Sequence, residues 1–432
     1  MDTLIVDKKI RPAGQANVGL SRDRFWTIQP IRGILFVTLL FELLFVQLPV
    51  RTVLYTLLPS ITRPHPKWTL KRSLFMSMLR HYAFFRMKLN MKSGLINKNA
   101  LPAIPEKQGA TAVWIEPIHR QTGLKGELKT IFDDGGCTTT RIPGYWFGQN
   151  HIGKNGRDAR KGEKVILFFH GGGYSQLNGS PSSPPTNNLK ITLEAAKRSG
   201  KLHAPKRALS VEYRLSSEGY TFPSIFTDAL ASWIYLVRQL RFEPKNILIL
   251  GDSAGGNLAL ALLRYIRDER PLWDELNIPK DSPLADGVIL SSPWVDISGS
   301  FCNAGPSSSG TLYKDVDYLN LTSLKLASSD LVKGLPVPFI HSPWVSPVNL
   351  QRGLDEDVFK GFPRALCIYG GLELFVDEIK AFNHHYQYAH EHLGAGQITV
   401  YEEPLSVHDY LAYPITFTED HIRARDVIKK WL

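Results

Sequence analysis

The sequence predicts an α/β protein with a mostly parallel central sheet and helices on both faces. Three observations carry that prediction. Short, continuously apolar runs recur from about residue 105 onward, helical patterns follow several of them, and no internal repeat breaks the alternation. A strand that is apolar at every position is buried on both faces, and parallel sheets acquire that burial because their crossovers lay helices over them. The length of 432 residues, with 43% hydrophobic and 21% charged positions, is ordinary globular composition and long enough for a sizeable core.

The runs at 112–115, 164–169, 208–211, 246–250, 287–290, 365–369 and 397–401 read as strands. Helical periodicity follows at 226–239, 256–267 and 376–393. The Ser/Pro/Asn-rich stretch 175–188 reads as a loop, and 298–350 interrupts the alternation as a cap insertion. Residues 106–432 are thus expected to form the catalytic domain.

Ahead of it, residues 33–50 form an eighteen-residue apolar run whose single charge is Glu42. Arg32 and Arg51 bracket the run, and apolar character resumes at 53–58. That length is near the minimum for a spanning helix. The long basic region before the run and the lack of a small-x-small cleavage site argue against a signal peptide. Residues 1–60 are therefore expected to be a basic and apolar segment that anchors the chain to a membrane through residues 33–58. A helix packed on the catalytic domain is the alternative. Residues 61–105 are basic and aromatic with roughly helical spacing, and are expected to lie on the membrane surface or to cap the active site. The expected location is a membrane, for example that of the endoplasmic reticulum, with a soluble cytoplasmic protein as the alternative.

The net charge of +11 resides in the same segment. Residues 1–100 hold 16 Lys and Arg against 4 Asp and Glu, which leaves the remainder at minus one. A basic excess confined to one end points to an anionic surface rather than an acidic substrate. Apolar interleaving and the lack of a nucleic-acid-binding motif exclude nucleic acid as the expected partner. Cys137, Cys302 and Cys367 are widely spaced and give neither a disulfide framework nor a zinc-type pair. His384, His385, His390 and His392 lack metal-ligand spacing and read as a solvated helix face, so no metal is expected.

Three motifs carry the chemistry. The strand at 246–250 runs into Gly251-Asp252-Ser253-Ala254-Gly255 and then a helix, the context in which G-x-S-x-G exposes a nucleophilic serine on a sharp turn. The strand at 164–169 ends in His170-Gly171-Gly172-Gly173. Glycines there can turn backbone N–H groups into a cavity, so Gly171, Gly172 and Gly173 with Ala254 form the candidate oxyanion hole. His170 itself reads as a structural residue that orients this loop. His408 follows the last strand and stands downstream of both the serine and the acidic candidates, in the order nucleophile, acid, base. For the acid, Glu373 lies nearest the end of the strand at 365–369, with Asp377 as the alternative four residues later.

With these residues in view, the chain resembles the hormone-sensitive-lipase-like branch of the α/β-hydrolases. The resemblance rests on His170 to Gly173, on Gly251 to Gly255, on Val211-Glu-Tyr-Arg-Leu215 with Phe222-Pro223 and Asp228-Ala229, and on Val407-His408. It covers roughly residues 110–432. The family usually carries an aspartate where this chain has Glu373, a departure that keeps Asp377 in play. Together with the apolar N-terminal segment, the pattern is similar to that of fungal steryl acetyl hydrolases and esterases of secondary metabolism. The resemblance implies the α/β-hydrolase fold and a serine hydrolase that cleaves a small-molecule carboxylic ester through an acyl-enzyme, without a cofactor. An acyltransferase using the same site, or an inactive ligand-binding member of the fold, are the alternatives.

Overall fold

The computed structural model describes residues 25–89, 100–104, 108–118, 123–148, 156–354 and 357–432. Residues 1–24 of the predicted anchor segment, and 90–99 and 105 of the segment after it, lie outside the described residues. The strands are β1 (Ala110–Ile115), β2 (Ile142–Gly148), β3 (Val165–Phe169), β4 (Arg207–Val211), β5 (Ile247–Asp252), β6 (Gly287–Ser291), β7 (Ala365–Gly370) and β8 (Ile398–Glu403). They form one sheet in the order β1-β2-β4-β3-β5-β6-β7-β8. β2 pairs antiparallel with β1 and β4, and every other pairing is parallel.

The principal helices are α1 (Ile31–Leu57), α2 (Leu70–Lys88), α3 (Gly126–Asp134), α4 (Thr186–Ser199), α5 (Phe222–Ile234), α6 (Ala254–Asp268), α7 (Leu321–Leu331), α8 (Val376–His392) and α9 (Thr418–Trp431). Alternate residues of β3 feed opposite cores. Val165, Leu167 and Phe169 join one with Phe226, Leu258, Ile379 and Phe382 of α5, α6 and α8, while Ile166 and Phe168 join the other with Leu189 of α4 and Ile428 of α9. Burial on both faces is the physical reason for continuous apolarity.

All seven expected strands are present. The eighth, β2, contains Pro143 and Gly144, residues that argue against a strand in sequence. Gly144 is required by close packing, because a Cβ there would lie 2.8 Å from Ile115 Cδ1 and 2.9 Å from Leu209 Cδ1. The expected loop at 175–188 ends earlier, since α4 begins at Thr186 directly after Pro184-Pro185.

α1 is 27 residues long, apolar enough to cross a membrane, and little buried. Its turn at Leu43–Gln47 is widened to a π-helix. Pro49 explains the local geometry: its ring crowds the carbonyl of Phe45 and it offers no N–H, and a wider turn relieves both. α1 packs on α2 through a polar cluster in which the Tyr55 and Ser77 hydroxyls lie 2.9 Å apart and Arg51 donates to both.

Candidate active site

The C-terminal ends of β3, β5, β6, β7 and β8 converge, and each delivers one part of the site. β5 turns into α6 at Ser253, which adopts φ 50° and ψ −118°. Such a conformation is costly for a non-glycine residue and persists only where the surroundings fix it. Here two glycines make it possible. A Cβ at position 251 would lie 2.3 Å from the Gly255 carbonyl oxygen, and one at 255 would lie 2.0 Å from that of Phe169.

His408 stands in the loop after β8, with Nε2 2.9 Å from Ser253 Oγ. Glu373 follows β7 and places Oε2 3.8 Å from His408 Nδ1, an ion-pair separation longer than a hydrogen bond. Both side chains are buried, and Ser253 is only 6% exposed. Asp377 lies instead in the first turn of α8, where it accepts the Ser309 N–H at 2.7 Å. Geometry therefore brings Glu373, not Asp377, to the histidine.

Ser292, just past β6, is a member of the site that sequence reasoning missed. Its hydroxyl donates to Glu373 Oε2 at 2.6 Å and accepts the Asp409 N–H at 3.0 Å, linking the acid to the histidine loop. Its place immediately after the predicted strand 287–290 was the available signal. Asp317, from the 298–350 segment, accepts the N–H groups of Leu374 and Tyr318 and is also close to the His408 backbone amide. From the same segment the Tyr318 ring lies 5.9 Å from the His408 ring, and Phe375, after β7, meets that ring edge-on at 4.9 Å.

Burial dominates the electrostatics. It pulls His408 down to about 3, keeping the imidazole neutral and able to accept a proton. It pushes the Glu373 carboxyl up, against the hydrogen bonds from Ser292 and the Gly370 N–H that favour its charged form. Asp252 and Asp409 face one another behind the serine. Burial raises both, Asp409 to about 7, and the nearby Asp409 carboxylate raises Asp252 further.

In the loop after β3, Gly172 and Gly173 adopt φ 115° and 61°. Gly171 packs closely on Asp252, since a Cβ there would lie 2.3 Å from its Oδ2. The N–H groups of Gly172, Gly173 and Ala254 make no hydrogen bond among the described residues. His170 is buried, stacks on Tyr213 at 4.1 Å, and bonds through Nδ1 to the Gly171 carbonyl at 2.7 Å.

A family model described as the α/β-hydrolase fold matches residues 166–411, more than half of the chain. The chain belongs to the α/β-hydrolase family. In this α/β-hydrolase the Tyr213-Arg214 motif has a structural use. Tyr213 donates its hydroxyl to the His170 carbonyl, while the fully buried Arg214 pairs with Asp228 of α5 at 2.9 Å.

Steryl acetyl hydrolase 1 of Saccharomyces cerevisiae is 27% identical over 265 residues, covering 60% of this chain and 55% of that protein. An acetyl-hydrolase of Streptomyces hygroscopicus is 32% identical over 142 residues, covering 33% of this chain and 40% of its own length. The chain thus spans about half the length of the curated relatives it matches. Among solved structures, an esterase from the bacterial hormone-sensitive lipase family superposes with a TM-score of 0.53 at 20% identity, over 84% of this chain and 97% of that one, a likeness of fold.

Proposed function

We propose that this α/β-hydrolase is a serine esterase that cleaves a carboxylic ester through an acyl-enzyme. The observation that carries the proposal is the 2.9 Å contact between His408 Nε2 and the hydroxyl of a serine held on a strained strand-to-helix turn. Ser253 Oγ attacks the ester carbonyl as His408 takes its proton, Glu373 stabilises the imidazolium, and the N–H groups of Gly172, Gly173 and Ala254 receive the oxyanion. His408 then passes the proton to the departing alcohol. In the second half, His408 activates water to release the acid.

Small acyl groups suit the site. A Cβ at Gly173 would lie 3.9 Å from Trp294 and 3.7 Å from Ala327 Cβ, and Trp294 stacks on Phe375 at 5.8 Å, so aromatic walls stand close to the oxyanion loop. The acetyl hydrolases among the relatives support the same reading. The exposed apolar face of α1, with the basic surplus of the first hundred residues, supports a membrane-bound enzyme that draws a lipophilic acetyl ester from the bilayer. The test is turnover on acyl esters of increasing chain length and on a steryl acetate, in detergent micelles. Turnover should be highest on acetyl esters and fall with acyl length; a preference for long acyl chains overturns the small-acyl reading.

A further inference from the structure

The N-terminal segment reaches the loop that carries His408. Trp68 is 1% exposed, and its indole N–H donates to the Leu405 carbonyl at 2.8 Å across 337 residues of sequence. Arg72, one turn on, donates to the same carbonyl at 3.4 Å and to Asp420 at 2.6 Å. Asp420 in turn accepts the hydroxyl of the buried Ser406 at 2.6 Å. Among the described residues, Trp68 and Arg72 are the donors to Leu405 O. Leu405 and Ser406 immediately precede Val407 and His408, so the contacts fall two and three residues from the imidazole.

On its inner side the same loop is held by the Leu372 N–H donating to the Ser406 carbonyl and by the Asp409 N–H donating to the Ser292 hydroxyl. The outer side depends on Trp68, Arg72 and Asp420. Phe75 of α2 adds an aromatic contact with Tyr413, whose ring meets Tyr318, the residue over His408. This arrangement exceeds what a membrane tether requires. An anchor needs only a linker, whereas these bonds reach the Leu405 carbonyl of the histidine loop and the Asp420 carboxylate of α9, to which Ser406 of that loop is bonded.

We propose that Trp68 and Arg72 are positioning residues for His408, clamping its loop from outside so that Nε2 stays within hydrogen-bond reach of Ser253 Oγ. The proposal rests on the reading of His408 as general base. Because a displacement of about 1 Å at a reacting group can lower a rate about 10²-fold, two lost clamps should be visible in turnover.

The experiment uses the full chain in detergent micelles, with Trp68→Phe, Arg72→Gln, Arg72→Lys and the Trp68→Phe/Arg72→Gln double variant. Active sites are titrated with a fluorophosphonate, so turnover is expressed per competent site, and kcat, KM and the acid limb of kcat/KM are read on a water-soluble acetate ester. Trp68→Phe keeps an aromatic ring at the buried position while removing the N–H and the smaller ring of the indole, so as a single change it remains informative where the double variant does not fold. The expected result is a kcat lowered about threefold to tenfold by each single variant and about 10²-fold by the double. KM should stay within about twofold, Arg72→Lys should recover part of the loss, and the acid limb should move up toward the ordinary histidine range as water reaches a loosened His408. Unchanged kcat per titrated site in Trp68→Phe and Arg72→Gln overturns the proposal. So does a loss of titratable sites with kcat and acid limb unmoved, which marks a purely structural role. A wild-type chain that neither reacts with the fluorophosphonate nor hydrolyses the ester overturns the underlying reading, and this one with it.

Discussion

Replacing Glu373 by glutamine removes one charge and keeps the volume. Ser292 Oγ and the Gly370 N–H can still bond to the amide oxygen, so the loop should hold its shape. What is lost is the attraction between a carboxylate and the imidazolium formed when His408 takes the serine proton. At the 3.8 Å separation and an effective dielectric of about 20, that attraction is about 4 kcal/mol. With about 1.4 kcal/mol per factor of ten, turnover should fall about 10³-fold. Shortening the side chain in Glu373→Asp draws the carboxylate back by one C–C bond, about 1.5 Å, to roughly 5 Å, which costs only about 1 kcal/mol relative to wild type and about tenfold in rate. Asp377→Asn should stay within about threefold of wild type, since Asp377 holds the Ser309 amide rather than the histidine. The assay is kcat on one water-soluble acetate ester at saturation, with circular dichroism confirming that each variant is folded. An inactive Asp377→Asn beside an active Glu373→Gln would refute the reasoning and transfer the acid to Asp377.

Other expectations follow from the same coordinates. Gly172→Ala would set a Cβ 2.0 Å from the Gln176 carbonyl oxygen at φ 115°, so turnover should drop about 10²-fold or more as the donor loop shifts, measured against the thermal midpoint. Because burial lowers His408 from 6.5 to about 3, the base stays neutral as the medium acidifies, and the acid limb of kcat/KM should lie well below pH 6. The Asp252 and Asp409 pair has raised folded pKa values, so its contribution to stability is present at low pH and is lost as pH rises through about 7. Denaturant midpoints should therefore decline across that window, and Asp409→Asn should flatten the decline. A chain lacking residues 1–60 should leave the membrane fraction yet keep turnover on a soluble ester, because the clamp on the histidine loop begins at Trp68, although α2 loses the Tyr55 and Arg51 contacts and should melt at a lower temperature.

The parts of the fold that sequence predicted are those whose cause is local. β3 and β7 are apolar throughout, and β5 and β6 up to their last residues Asp252 and Ser291, because both faces are buried, and Gly251 and Gly255 flank Ser253 because the turn admits no side chain there. β2 escaped notice since Pro143 and Gly144 contradict strand propensity, and only the neighbours Ile115 and Leu209 explain the glycine. α9 also went unpredicted: its buried stripe includes Ala424 and Ile428 within a charged segment, too narrow a periodic signal to read. In the site, Ser253 and His408 were legible from motif and chain order. Ser292 was not, because a serine acquires its partners from the fold, here a glutamate 81 residues away and an amide 117 away. Gly171 is a glycine because of Asp252, whose Oδ2 lies 2.3 Å from where a Cβ would stand, a contact the motif alone does not reveal.

The central claim is that Ser253 is the nucleophile of an ester hydrolase, and the most direct measurement is fluorophosphonate labelling of the full chain in micelles, with the modified peptide located by mass spectrometry and acetate-ester turnover read in parallel. The account predicts one adduct per chain on Ser253, and loss of both labelling and turnover by about 10⁴-fold or more in a folded Ser253→Ala variant. An adduct on another residue, or Ser253→Ala turnover near that of the wild type, would contradict it.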